Sequence, residues 1–231
     1  MSLISSTNII PMPRFGEEHL APVFSMFPIE AVDGEGVFLN TNDGRRILDL
    51  YGGHAVAALG YGHPRWVEAL TKQAKSLAFQ SNAVHMDVRR RAAKRLVDFC
   101  GLGLDTVFFV NSGAEANENA LKLALKITGV NKVVAVEGSF HGRTAAAGAI
   151  TWGAQKKWYG FPQTPFEVEF IPREVAAVEK AINDETAAVI VEPVQGVAGA
   201  LDLPKEFLQA LRHRCSEIGR ASCRERAWTV V

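Results

Sequence analysis

Phe108-Phe109-Val110-Asn111-Ser112-Gly113-Ala114-Glu115-Ala116-Asn117 is the stretch whose reading decides the fold. A β-prone run, Val107–Val110, stops at Asn111, Gly113 turns the chain, and a helical pattern fills about Ala114–Ile127. A strand that feeds a helix in this way brings three features to one point: the unpaired N–H groups of the first turn, the positive end of the helix dipole and the Ser112 hydroxyl. That combination fits a phosphate, with Glu115 turned away from the anion. An ordinary N-cap beside a glycine turn uses the same residues, so both readings stand at this point. Neither G-x-x-x-x-G-K-S/T nor G-x-G-x-x-G occurs anywhere, so a phosphate here belongs to a ligand other than those of the usual nucleotide loops.

Working outward, the alternation continues. Lys132–Val136, Glu167–Ile171 and Ala187–Val191 read as doubly apolar strands, and Arg173–Ile182 and Pro204–Cys215 as helices. Strands without polar alternation, separated by helices, make a mainly parallel sheet covered on both faces. Upstream, Val37–Asn40 and Arg46–Leu50 flank Asn42-Asp43-Gly44 and read as a hairpin. Pro64 opens a helix with Val67, Leu70, Ala74 and Leu77 on one face, and Asp87 caps another with Val88, Ala92, Leu96 and Phe99. Pro11 to Pro28 reads as an extended arm. The fold class is therefore α/β: a small α+β segment over residues 1–60, then the first part of a large, mainly parallel sheet domain over 61–216.

Composition narrows the function classes. The 231 residues carry 25 Lys+Arg against 25 Asp+Glu, so no basic excess exists to hold nucleic acid or an anionic membrane surface. The longest aliphatic run, Ala187–Val191, is far short of a membrane span, and residues 1–20 lack the pattern of a signal peptide. Cys100, Cys215 and Cys223 show no Cys-x-x-Cys spacing and cannot all pair, which implies a reducing, cytoplasmic setting and no metal site.

Two further strand ends carry chemistry. Gly138-Ser139-Phe140-His141-Gly142-Arg143-Thr144 follows Lys132–Val136, and in parallel sheets ligands gather at such ends. Phe140 offers a flat face to a planar ring and Arg143 a fork for a carboxylate; a buried phenyl beside a surface arginine is the plainer reading. His141 is either a base or a hydrogen-bonding prop. Glu137 stands two residues before Ser139, so the G-x-S-x-G elbow of a Ser/His hydrolase is not met. Val191-Glu192-Pro193-Val194-Gln195-Gly196 closes the next strand with a carboxylate and an amide on a Pro-stiffened loop. Three such ends in succession would line one edge of one sheet.

These segments, with Leu48-Asp49-Leu50 and Leu59-Gly60-Tyr61-Gly62-His63-Pro64, resemble in order and spacing the class III pyridoxal-phosphate aminotransferases, nearest the acetylornithine/ornithine branch. The resemblance runs from about Pro28 to about Cys215. It implies an incomplete transferase fold of type I, a homodimer at full length, and pyridoxal 5'-phosphate as cofactor. Carried over, Ser112, Gly113 and Ala114 hold the cofactor phosphate, Phe140 stacks on the pyridine ring, Glu192 and Gln195 belong to its polar surroundings, and Arg143 binds a substrate carboxylate. The implied reaction moves the terminal amino group of an acetylornithine-like ω-amine to 2-oxoglutarate; a 4-aminobutyrate-type amine is the alternative.

Two positions depart from the family pattern. Val197 stands where glutamate is common, and His54 where the branch has an aliphatic residue facing substrate. The family's Asp-Glu-x-x-Gln segment and the lysine that attaches the cofactor follow the helix at Pro204–Cys215, and neither motif occurs here. No catalytic residue and no further strand are therefore expected after Cys215, which leaves a non-catalytic cofactor- or partner-binding fragment as a rival reading. Glu217–Arg226 resembles translated sequencing-adaptor sequence, so 217–231 reads as a non-native tail.

Overall fold

The computed structural model describes residues 19–21, 23–100, 103–219 and 221–224, the last four by backbone alone. Two compact units result, Met1–Arg90 and Arg91–Val231. Residues 11–18 and 22 of the expected arm lie outside the described residues, and what remains of it to Pro28 has no regular structure.

The first unit is built on a three-stranded antiparallel meander, β1 (Ala31–Glu35), β2 (Phe38–Thr41) and β3 (Arg46–Leu48). Asn42-Asp43-Gly44 makes the β2–β3 turn, with Gly44 at φ 80°. The strand β1 was not expected: Ala31-Val32-Asp33-Gly34-Glu35 has little β propensity, and its pairing with β2 supplies what its side chains do not. Asp49 ties the loop after β3 together, accepting from the N–H groups of Tyr51 and Gly52 at 2.9 Å each and from the Tyr61 hydroxyl. Between them lies the single turn α1 (Gly52–Ala55), in which His54 and Ala55 stand at φ 59° and 61°. The helix α2 (Pro64–Leu77) follows, and α3 (Asp87–Cys100) begins in this unit and ends in the next; neither buries a residue.

In the second unit α4 (Gly113–Thr128) leads into a four-stranded parallel sheet of order β5-β4-β6-β9. Its strands are β4 (Lys132–Val136), β5 (Glu167–Ile171), β6 (Thr186–Val191) and β9 (Ala221–Arg224), while β7 (Val194–Gln195) and β8 (Leu201–Asp202) form a separate two-residue ladder. The helices are α5 (Ala145–Ala149), α6 (Val175–Ala181) and α7 (Lys205–Glu217). Every residue of β4 and β6 is buried, and alternate side chains serve opposite faces. Val134, Val136, Val189 and Val191 pack with Val178, Phe207, Leu211 and Cys215 of α6 and α7. Val133, Ala135 and Ile190 pack with Ala120, Leu121 and Ala146 of α4 and α5. Both faces are thus covered, and each fully buried valine or isoleucine contributes about 1.5–3 kcal/mol.

Two expectations are corrected. Val107–Val110 forms no strand: no described segment offers it a ladder, and Phe108 is 70% exposed. Strand propensity without a hydrogen-bonding neighbour does not make a strand. Conversely, a strand does follow Cys215. The backbone of β9 runs parallel to β6, with Ala188 opposite Ala221 and Val191 opposite Arg224. An open edge of β6 takes any extended backbone that α7 returns to it, whatever the side chains. Residues 225–231 lie outside the described residues.

Candidate active site

The three motif loops meet at the carboxyl ends of β4 and β6, beside the start of α4. Ser112 is the N-cap of α4, and its Oγ accepts the Glu115 N–H at 3.2 Å. The Glu115 carboxylate folds back beside the helix start, accepting the Asn111 N–H at 2.7 Å and the Asn111 amide at 3.2 Å in the manner of a capping box. The Gly113 and Ala114 N–H groups have no acceptor among the described residues, and nothing lies within 4 Å of where a Cβ on Gly113 would sit. The Ser112 hydroxyl keeps its proton for a further acceptor. At the N-terminus of a sixteen-residue helix, this is an open, positively polarised cradle.

Gly142 brings the second loop against this turn. At φ 134°, its absent Cβ would stand 2.6 Å from the Ala114 Cβ and 2.8 Å from the Ala147 Cβ, so only glycine permits the approach. Asn117, buried in α4, donates to the His141 carbonyl at 2.7 Å. Thr151 Oγ1 accepts the His141 N–H at 2.9 Å. The Glu118 carboxylate accepts the Ala146 N–H at 2.6 Å and the Ala147 N–H at 3.3 Å, capping α5. His141 is buried, with its backbone N–H and carbonyl both bonded. Ser139 is likewise buried, with its hydroxyl donating to the Ile150 carbonyl at 3.3 Å. That commitment takes Ser139 out of the role of a nucleophile.

The third loop clamps the second at two points. Glu192 Oε1 accepts the Phe140 N–H at 2.6 Å, and Gln195 Nε2 donates to the Glu137 carbonyl at 3.0 Å. Gln195 is fully buried, and its Oε1 accepts no hydrogen bond from any described residue. Phe140 is half-buried, while Arg143 is exposed in the turn before α5. The structure therefore gathers Ser112, Gly113, Ala114, Phe140, Arg143, Glu192 and Gln195 into one unit. His54 stands in the other unit, where its ring meets the Tyr51 ring edge-on at 4.8 Å. Of the residues that aim these loops, Glu118 and Thr151 carried no signal, and Asn117 stood in the motif without a role: their partners are backbone groups of a distant loop, which no spacing reveals.

Residues 21–221 match the family described as Aminotransferase class-III. The chain is 45% identical over 197 residues to the acetylornithine aminotransferase of Methanopyrus kandleri, covering 85% of this chain and 50% of that protein. With the acetylornithine aminotransferase of Halalkalibacterium halodurans the identity is 37% over 202 residues, covering 87% of this chain and 52% of that one. The ornithine aminotransferase of Toxoplasma gondii, in a structure with pyridoxal phosphate at partial occupancy in its active site, superposes with a TM-score of 0.78 at 27% identity. That superposition covers 90% of this chain and 50% of the other. The chain spans about half the length of the relatives it matches.

Proposed function

The chain belongs to the class III aminotransferase family, and from that premise we propose that it is the first half of a pyridoxal-phosphate transaminase acting on an acetylornithine-like ω-amine. 2-Oxoglutarate is the proposed acceptor, and a homodimer in a cytoplasmic setting the proposed form. Residues 1–60 supply the arm and small-domain segment, 61–216 the incomplete cofactor domain, and 217–231 a non-native tail. The observation that carries this reading is the convergence of an open helix N-terminus, a half-buried phenyl ring and an orphaned buried amide oxygen on one sheet edge.

The residues fit the cofactor. The Gly113 and Ala114 N–H groups and the Ser112 hydroxyl would take its phosphate, the Phe140 ring would lie against its pyridine, and Glu192 and Gln195 would fix the Phe140 loop from behind. When bound, pyridoxal phosphate supplies the electron sink for amino transfer. The chain's own contribution is orientation. Glu192 holds the Phe140 backbone, Gly142 keeps the loop tight on α4, and Arg143 presents its guanidinium to the carboxylate of amine or oxo acid. The only buried lysine among the described residues, Lys132, opens β4 at the opposite end of the strand from Phe140. Its Nζ bonds the Ala181 carbonyl at 2.8 Å and Glu169 at 3.3 Å, so it is not a candidate to attach the cofactor.

That commitment of Lys132 favours a second reading for a polypeptide of these 231 residues alone, namely cofactor binding without catalysis. We expect such a polypeptide to aggregate readily and to show no turnover of ornithine-type amines with 2-oxoglutarate; measurable turnover overturns this. A borohydride-reducible absorbance with pyridoxal phosphate separates covalent attachment from simple binding. In a full-length form, Arg143→Ala is expected to raise KM for the carboxylate-bearing amine by an amount equivalent to about 1.5–3 kcal/mol. Unchanged kinetics for amine and oxo acid alike would remove Arg143 from the site.

A further inference from the structure

The second clamp of the site has a donor beside it that the family reading leaves unused. Gly138, at φ 83°, leaves a small space next to the Phe140 loop. The point its Cβ would occupy is 2.9 Å from Arg173 Nη2, 3.1 Å from Gln195 Oε1 and 3.6 Å from the Ala198 Cβ. The two polar atoms thus lie within about 6 Å of each other, a gap that a modest rotation or one bridging water closes. Gln195 cannot turn its amide to escape, because Nε2 is committed to the Glu137 carbonyl. Its buried Oε1 is therefore an acceptor in want of a donor, a costly state for an interior group. Arg173 is half-buried in the turn between β5 and α6 and has no hydrogen-bond or ion-pair partner among the described residues. Glu137 anchors the two strands at this edge by donating its N–H to the Ile171 carbonyl at 2.9 Å.

We propose that Arg173 is a positioning residue of the active site: its guanidinium donates to Gln195 Oε1 across the space left by Gly138, and so locks the Glu192–Gln195 loop that holds Phe140. The inference rests on the proposed cofactor reading for its consequence but not for its geometry. An arginine suits the task, since its planar fork can satisfy Gln195 and still keep donors for solvent. With the donor lost, the loop keeps the Gln195–Glu137 bond but gains freedom about it. The Glu192–Phe140 bond then loosens, and the ring that should face the pyridine is less well placed.

The test uses a full-length form and two readouts. Amide exchange of residues 137–142 and 192–196, measured by mass spectrometry without cofactor, is expected to rise at least five-fold in Arg173→Met. The Kd for pyridoxal phosphate is expected to weaken three- to ten-fold. Arg173→Lys, which still donates, should stay within two-fold of the parent on both. In a Gln195→Met background, Arg173→Met should add nothing further, whereas a residue of merely structural importance would add its full effect again. Exchange in Arg173→Met equal to the parent, or full additivity with Gln195→Met, overturns the proposal. A parent that binds no pyridoxal phosphate would sink the cofactor reading instead, while the exchange comparison would still decide the role of Arg173.

Discussion

Helix α7 and helix α2 carry comparable patterns and end in different surroundings. In α7, Phe207, Leu211 and Cys215 recur at four-residue steps and are buried against Val189 and Val191 of β6. In α2, Val67, Leu70, Ala74 and Leu77 recur at three- and four-residue steps, yet no residue is buried and Leu70 is 51% exposed. Apolar periodicity specifies that a face exists; burial depends on whether a sheet or helix is there to receive it. The second unit has such a receiver in β4 and β6. Within the first unit, the short meander covers neither α2 nor the part of α3 that falls in it.

The largest expected effect follows from that contrast. In the 231-residue polypeptide, kept in solution by a fused carrier, Phe207→Ala removes a fully buried ring and should cost about 3–5 kcal/mol. Leu70→Ala should cost less than about 1 kcal/mol. Urea denaturation gives the two losses, with hydrogen exchange assigning each to its helix. Equal costs would break the comparison and show that α2 is covered after all.

A polar version of the comparison predicts a smaller effect. Glu118 caps α5 from a partly buried position, taking two N–H groups that otherwise have no partner. Asp43 and Arg45, at 2.7 Å, pair in the open on the first unit's turn. Glu118→Ala should cost about 1–2 kcal/mol, as loss of a helix cap does. Arg45→Ala should stay within about 0.5 kcal/mol, because exposed pairs are screened by solvent. Shifts in the urea midpoint measure both. A neutral Glu118→Ala would mean that the packing of Ala146 and Ala147 alone holds α5.

What the sequence disclosed follows the same physics. Lys132–Val136 was readable to the residue because two-sided burial demands a nearly unbroken apolar run, and Glu167–Ile171 because Val168, Phe170 and Ile171 are strong strand formers, although at the sheet edge only Ile171 is buried. Ser112, Phe140 and Glu192 stood out because each follows or precedes an element whose end is marked by glycine or proline. Val107–Val110 misled, since β propensity says nothing about a neighbour, and β9 was missed because a ladder needs only backbone. Glu118, Thr151 and Arg173 were silent for another reason. Each acts on, or stands beside, a group brought close only by the fold, and an isolated arginine in a turn looks like any other.

The smallest effect lies in the first unit, where polar contacts do what apolar packing does in the second. The Tyr61 hydroxyl hydrogen bond, aided by the Gly52 and Tyr51 N–H groups, lowers the Asp49 pKa, and the same bond raises that of Tyr61. A depressed carboxylate pKa gives stability that is present above the unfolded value and lost as pH falls through the folded one. A raised phenol pKa gives stability that is present below the unfolded value and lost as pH climbs through the folded one. The loop from Asp49 to Tyr61 should therefore loosen below about pH 4 and again above about pH 10. Tyr61→Phe removes the largest contribution at both ends. It should move the Asp49 titration upward while Asp43, held low mainly by the Thr41 hydroxyl, stays where it is. Carboxyl carbon chemical shifts followed through an acid titration report both residues in one experiment. An Asp49 that does not move would assign its low pKa to the Gly52 and Tyr51 N–H groups, and would leave Tyr61 as a ring packed on Gly34 rather than a polar tie.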